Sequence, residues 1–274
     1  MISYKEYYLK CIKNYNNSNQ LIYNFGISVE KPNNFKYLKL DDTFYQLIDK
    51  FYDKYKKLIV NPLEIRNDNL FIGIENIFHF EEIEDIAQIL IPQLEDKLFG
   101  SYLHLMRVYM YRNKITNNPE SSSWLWHWDN HPEEIIKIII YLTDVTEENG
   151  AFEYLRDKNT KEPLKMNTNR LGPNKWGNKN HPIYRGCRIS YPQINEFINN
   201  GYETVKVTGK KGTIIIFDNN IVHKANRCKT SYRDILTLQV RPRMDRLTQY
   251  LSNKYTGSWN HCAQGNSNPL IFNL

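Results

Sequence analysis

The chain has 274 residues, 41% hydrophobic and 24% charged, with 36 Lys+Arg against 30 Asp+Glu and a formal net charge of +6. Those proportions suit a folded globular chain and exclude wholesale disorder, and 12 Gly beside 20 Tyr exclude a Gly-rich fibrous or low-complexity chain. The basic residues fall in short runs ("KYKK", "KKGT", "RPRMDR") rather than on one arm, so the charge reads as a solvated surface that draws in anionic small molecules, and nucleic acid is not the expected partner.

The first stretch, "MISYKEYYLKCIKNY", lacks the apolar core and small-residue cleavage site of a signal peptide. No window approaches the length of apolar chain needed to span a membrane. Cys11, Cys187, Cys228 and Cys262 are widely spaced with no CxxC pair, which argues against a disulfide framework or a zinc knuckle and for a reducing compartment. A soluble, cytoplasmic protein is the expectation.

Residues 1–101 read as a helical region. "LDDTFYQLIDKFYDKYKKLI" offers Asp41 or Asp42 as an N-cap, an apolar stripe at Phe44, Leu47, Ile48, Phe51, Tyr52 and Tyr55, and a Lys-rich end. "FEEIEDIAQILIPQLEDKLFG" has early acids, apolar positions at Ile83, Ile86, Leu90 and Leu94, a kink or division at Pro92, and Gly100 as its stop. From residue 102 the period changes. "YLHLMRVYMYR", "SWLWHWD", "IIKIIIYLTDV", "GAFEYL", "ETVKV", "GTIIIFD", "NIVHKAN" and "RDILTLQVRP" are short aromatic and β-branched runs between turn residues. Eight such strands predict a sandwich or barrel, mainly β, with flanking helices. Residues 156–203 form a long polar stretch that reads as a lid or insertion, with a small helix at "YPQINEFINNGY"; its Arg156, Arg170, Lys175, Trp176, Arg185 and Arg188 suit an anionic substrate or a solvated loop. No linker or repeat interrupts the chain, so one domain over 1–274 is expected: helical region 1–101, β core 102–243, tail 244–274.

The chemistry concentrates at "WHWD". In an extended segment residues i and i+2 project to one face, so His127 and Asp129 stand side by side, as a metal-holding pair or a buried hydrogen-bonded pair. His223 follows a Gly-led apolar strand and a turn, and in a jelly roll strands distant in sequence become neighbours. His79, His104, His181 and His261 read as ordinary helix, strand and loop residues, and His131 falls where the strand ends. Two imidazoles and one carboxylate are the binding set of non-haem Fe(II) oxygenases. Such enzymes use 2-oxoglutarate with O2, and Arg233, ten residues after His223, is placed to clamp the far carboxylate; Arg227 is the competitor and reads as a loop arginine.

"WHWD", "IIIYLTDVTEENGAFEYL" and "GTIIIFDNNIVHKANR…YRDILTLQV" together resemble the phytanoyl-CoA dioxygenase-like branch of the Fe(II)/2-oxoglutarate-dependent oxygenases, over about residues 102–243. The resemblance implies a double-stranded β-helix (a jelly-roll or cupin-like barrel). It implies Fe(2+) held by His127, Asp129 and His223, 2-oxoglutarate held by Arg233, and hydroxylation of a small molecule with release of succinate and CO2. It also implies that the strand before the HxD pair lines the pocket. There Arg107, Tyr109 and Tyr111 share a face by alternation, Tyr109 toward 2-oxoglutarate and Arg107 and Tyr111 toward substrate, with a strand packed on the barrel wall as the plain alternative. Related halogenases have a small residue where Asp129 stands, so hydroxylation is expected over halogenation. Trp124, Trp126 and Trp128 alternate away from the ligands and read as packing for the opposite face. The alternatives are a redox-inactive binding protein of the same barrel, a cupin, which brings an HxH pair and a Glu, and an oxygenase acting on nucleic acid or protein.

Overall fold

A computed structural model describes residues 4–15, 21–32, 34–60, 65–67, 71–75, 80–117, 120, 122–167 and 187–250. His79, His181, His261, Cys262, Arg170, Lys175, Trp176, Arg185 and the tail beyond residue 250 lie outside them.

Helix α1 (Tyr4–Tyr15) is followed by α2 (Asp42–Val60) and α3 (Glu81–Leu94). Asp41 is the N-cap of α2, its side chain accepting from Phe44 N at 3.2 Å, and Phe44, Ile48, Phe51, Tyr52 and Tyr55 are all buried. Helix α3 runs through Pro92, which carries no N–H for the Gln88 carbonyl, and gives way at Glu95 to a π turn, Glu95–Phe99. The division falls three residues after the proline. Gly100, at φ 60°, then ends the helix in the left-handed conformation expected of it.

Ten strands are present among the described residues: β1 (Ile27–Glu30), β2 (Ile65–Asn67), β3 (Phe71–Glu75), β4 (Tyr102–Asn113), β5 (Ile136–Tyr141), β6 (Phe152–Asp157), β7 (Tyr202–Val207), β8 (Ile214–Asp218), β9 (His223–Ala225) and β10 (Arg233–Arg243). One antiparallel sheet has the order β1-β8-β5-β10-β4-β3-β2, the other β7-β6-β9. The first three strands correct the expectation of a helical N-terminal region. They are short, and two of them cap the far edge of the large sheet beyond β4. "SWLWHWD" is corrected too: it forms a 3-10 turn at Ser122–Trp124 and then an irregular extended segment held by isolated bridges.

Alternation decides what each face covers. Val108 and Met110 of β4, Ile136, Ile138 and Ile140 of β5, Ile214 and Ile216 of β8, and Leu236, Leu238 and Val240 of β10 share one core with the three helices. The opposite face carries Ile139, Tyr141, Ile215, Phe217 and Ile235, which meet Phe152, Tyr154 and Val207 of the small sheet. The two sheets therefore face one another as a double-stranded β-helix. A register shift between Gln239 and Val240 sets Arg107 opposite Gln239 but Leu105 opposite Val240, leaving Met106 as a bulge. The bulge keeps Leu103 and Leu105 on the helix side with Val108 and Met110.

The stretch after β6 opens as a hairpin rather than a loose loop. Leu164 N donates to Leu155 O at 2.8 Å, Val222 N to Leu164 O at 2.8 Å, and Met166 N to Asn220 O at 2.9 Å. Helix α4 (Tyr191–Asn199) begins with a capping box between Ser190 and Gln193, where a helix is expected. Residues 244–250 fasten the end of the barrel to the helices: Met244 N donates to Tyr7 Oη at 3.1 Å and Tyr250 N to Glu84 at 2.9 Å. No helix among the described residues is long and apolar enough to cross a membrane.

Candidate metal centre

His127 and His223 are joined by two backbone hydrogen bonds, His127 N to His223 O at 3.0 Å and His223 N to His127 O at 2.9 Å. Such a pair puts two side chains directly opposite on one face, and the imidazole centroids lie 4.3 Å apart. The turn after β8 anchors the rest of the segment. Asp129 N donates to Asn219 O at 2.8 Å, Asn219 Nδ2 to Ile135 O at 2.7 Å, and Asn220 Nδ2 to His131 O at 3.0 Å. Asn130, at φ 52°, turns the chain just after Asp129. On its other edge the segment is bridged by residues 187–189, with Ile189 N donating to Trp126 O at 2.9 Å.

Donor atoms of His127, Asp129 and His223 converge within 4.8 Å of one another, the metal-capable group found among the described residues. Asp129 Oδ1 lies 3.7 Å from His127 Nε2, and Asp129 Oδ2 lies 4.0 Å from His223 Nε2. His127 Nδ1 sits 2.7 Å from Leu125 O and His223 Nδ1 2.8 Å from Ile221 O. A carbonyl oxygen only accepts, so each Nδ1 carries the proton and each Nε2 presents its lone pair to the centre. Burial, then the neighbouring His223, holds the His127 imidazole well below the usual histidine range; burial lowers His223 to about 4. Both rings are thus neutral, as metal ligation requires. Burial alone would raise the Asp129 carboxyl, but Lys137, followed by His223, holds it well below the ordinary value. Lys137 forms a salt bridge with Asp129 Oδ2.

Arg233 opens β10 on the inner face. It is buried, one Nη donates to Gly150 O, and its Nε has no partner. Arg107, Tyr109 and Tyr111 also share the inner face: the tyrosine rings stack at 5.5 Å and the Arg107 guanidinium lies 4.5 Å over Tyr109. Trp126 and Trp128 pack with Leu155, Ile189, Ile194 and Val222, and Trp124 with Ala225. Arg227 lies over Trp124 at 5.1 Å, and Arg156 pairs with Glu203 at 2.8 Å across β6 and β7. Arg188 bridges to His127 by backbone and is itself exposed. His104 is buried opposite Arg241, apart from the converging trio, and burial lowers it to about 3.

Sequence reasoning missed four neighbours of this centre. Lys137 looked like one polar position in an isoleucine-rich strand. His131 turns back to accept from Gln239 Nε2 at 3.0 Å. Asn219 and Asn220 were submerged in a chain rich in Asn. The alternation in "IIKIII" sets Lys137 on the face away from the helices but does not say what it meets there.

A family model described as phytanoyl-CoA dioxygenase matches residues 39–233. An L-proline trans-4-hydroxylase of Streptomyces griseoviridis is 23% identical over 155 residues, covering 53% of this chain and 56% of that protein, so the chain matches little more than half the length of this relative. Among solved structures, the epimerase SnoN in complex with Fe3+, α-ketoglutarate and nogalamycin RO aligns with TM-score 0.51 and 12% identity, over 87% of this chain and 84% of its own. HygX of Streptomyces hygroscopicus, with nickel, 2-oxoglutarate and hygromycin B bound, aligns with TM-score 0.50 and 13% identity over 81% and 85%. The apoform of EctD from S. alaskensis does so with TM-score 0.50 and 15% identity over 80% and 73%. At these identities the structures establish a shared fold.

Proposed function

The chain belongs to the phytanoyl-CoA dioxygenase family, and from that membership we propose that it is an Fe(II)- and 2-oxoglutarate-dependent dioxygenase that hydroxylates a small molecule. The observation that carries the reading is the convergence of His127, Asp129 and His223 within 4.8 Å. The donor set fits a ferrous ion: two neutral imidazoles with Nε2 facing inward, one ionised carboxylate, and no thiolate in the group. When bound, the metal and 2-oxoglutarate supply the oxidising chemistry, with O2 consumed and succinate and CO2 released.

This chain's own residues do the positioning. Leu125 O and Ile221 O hold the two rings in the ligating tautomer. Lys137 keeps Asp129 ionised and engages its Oδ2, leaving Oδ1 toward the centre. Arg233 offers its guanidinium to the far carboxylate of 2-oxoglutarate, supported by its buried Nε without a partner. Along β4, Tyr111, opposite Ile235, stands nearest Arg233 on the cosubstrate side, Tyr109 comes next, and Arg107 stands at the substrate end. Phe152 and Phe217, with ring centroids 5.3 Å and 5.2 Å from His223, exclude water from the ligands. The N-terminal helices and the barrel act as one oxygenase domain. A proline hydroxylase among the relatives and hygromycin B on HygX support a small-molecule substrate. Retention of all three ligands weighs against a redox-inactive binding protein, and of Asp129 against halogenation.

Anaerobic Fe(II) with 2-oxoglutarate should give a weak visible charge-transfer band. His127→Ala and His223→Ala should each abolish it, and a band that persists in both variants refutes the ligand assignment. Substrate-stimulated succinate release across a metabolite panel then identifies the substrate.

A further inference from the structure

The cross-strand register brings Arg107, Gln239 and Lys137 into one row on the inner face: Arg107 stands directly opposite Gln239, and Gln239 directly opposite Lys137. One step along β10 lies Thr237, wholly buried, between Tyr109 and Ile139, its Oγ1 without a partner. Gln239 lies six positions after Arg233, about 20 Å of strand, so this row and Arg233 stand far apart along the inner face of β10.

The charges at this end do not balance. Lys137 is mostly buried, and its salt bridge is to Asp129, the carboxylate that also serves the metal. A ferrous ion brings two positive charges and Arg233 one, and Asp129 with the two carboxylates of 2-oxoglutarate cancels all three. With neutral histidines the Lys137 ammonium is left over, Arg107 in the same row adds to the positive charge rather than offsetting it, and a buried ammonium needs an anion of its own. We propose that Lys137, with Gln239 and Thr237 beside it, forms a carboxylate subsite for the prime substrate, so that the protein acts on a free carboxylic acid, an amino acid or a short organic acid, rather than on an amide, ester or thioester. The proposal rests on the dioxygenase reading and adds the substrate class. Gln239 Nε2, through the N–H not given to His131, and Thr237 Oγ1 supply neutral donors around an anion whose charge meets the ammonium.

The test uses the full chain loaded with Ni2+ and 2-oxoglutarate, which binds without turnover. Free amino acids and short carboxylic acids, each beside its primary amide, are screened by thermal shift and titrated by calorimetry. At least one acid should bind, with its amide about tenfold weaker or worse. Lys137→Met should weaken that acid by about tenfold or more, Lys137→Arg should restore it, and Gln239→Leu should weaken it less. Acid affinities of Lys137→Met are read at saturating Ni2+, because Lys137 also engages the ligand Asp129; a lysine that served only to orient Asp129 would leave acid binding unchanged once the metal site is full. Amides that bind as well as their acids, a panel in which no acid binds, or unchanged acid binding in Lys137→Met overturns the proposal. So does a loss of 2-oxoglutarate affinity in that variant matching the loss of acid affinity, which assigns the ammonium to the cosubstrate. A wild-type protein that takes up neither Ni2+ nor 2-oxoglutarate ends the dioxygenase reading itself.

Discussion

Glu95 opens the π turn with its carboxylate buried, and burial raises it to about 7 even though Leu103 N–H, at 2.8 Å from Oε1, pulls the other way. Its pKa in the folded chain thus exceeds that of an unfolded glutamate, so the native state binds the extra proton. The stability this contributes is full below about pH 4.5 and is lost as pH rises through about 7. Glu95→Gln should therefore stabilise the protein at pH 8 by about 2–3 kcal/mol relative to its effect at pH 4.5, read by denaturant unfolding at both values. Arg233 gives a second test at this scale. Its replacement by Met leaves the metal ligands intact and should weaken 2-oxoglutarate by about tenfold or more in titrations of the Ni2+-loaded protein, with Ni2+ uptake unchanged. His127, Asp129, His223 and Arg233 could be singled out as candidates from residue types and spacing, because ligation and carboxylate clamping admit few side chains. Lys137 and His131 could not, since their importance comes only from what stands opposite them.

The turn between β5 and β6 shows how an element carries constraint into the site. Asn149 Nδ2 donates to Asp144 O at 2.9 Å and closes the turn, and Gly150 follows at φ 88°. A Cβ on Gly150 would stand 2.7 Å from Asn113 Nδ2 and 2.8 Å from Cys228 Sγ, and its carbonyl receives the Arg233 guanidinium. Gly150→Ala should cost about 2–4 kcal/mol, strain and overlap together, and should also weaken 2-oxoglutarate. Gly201→Ala, at φ 97° with open space around it, should cost only about 1 kcal/mol and leave 2-oxoglutarate binding alone. Paired unfolding curves and cosubstrate titrations separate the two. Helices α2 and α3 and seven of the eight expected strand runs were legible because their apolar period is local. Strands β1, β2 and β3 were not: each is five residues or fewer and owes its state to a neighbour supplied by distant chain.

Across the described residues, His104, His127 and His223 are buried and His131 partly buried, and all four are held below the ordinary histidine value, His104 and His131 at about 3 and His223 at about 4, burial being the first cause in each. Here the folded state binds fewer protons than the unfolded one, so stability falls as pH drops below about 6.5 and continues to fall toward about 4. The metal-free protein should lose thermal stability steadily from pH 7 to pH 5. Ni2+ should raise the midpoint at pH 7 in wild type and not in His223→Ala, because a ligand that binds only the native state stabilises it by mass action. A midpoint independent of pH over that range would contradict the neutral, buried histidines.

Local pattern was enough to specify a β-rich barrel with helices beside it, a trio able to hold a metal ion and a candidate guanidinium for the proposed dicarboxylate, since periodicity and ligand chemistry are written in neighbouring residues. Long-range pairing had to decide the remainder. The irregular path of "SWLWHWD" is set by backbone hydrogen bonds to residues 187–189, 219 and 223, none of them local. The bulge at Met106, the placing of three early strands on the barrel, and the row Arg107–Gln239–Lys137 all follow from register, and register exists only once separate strands have met.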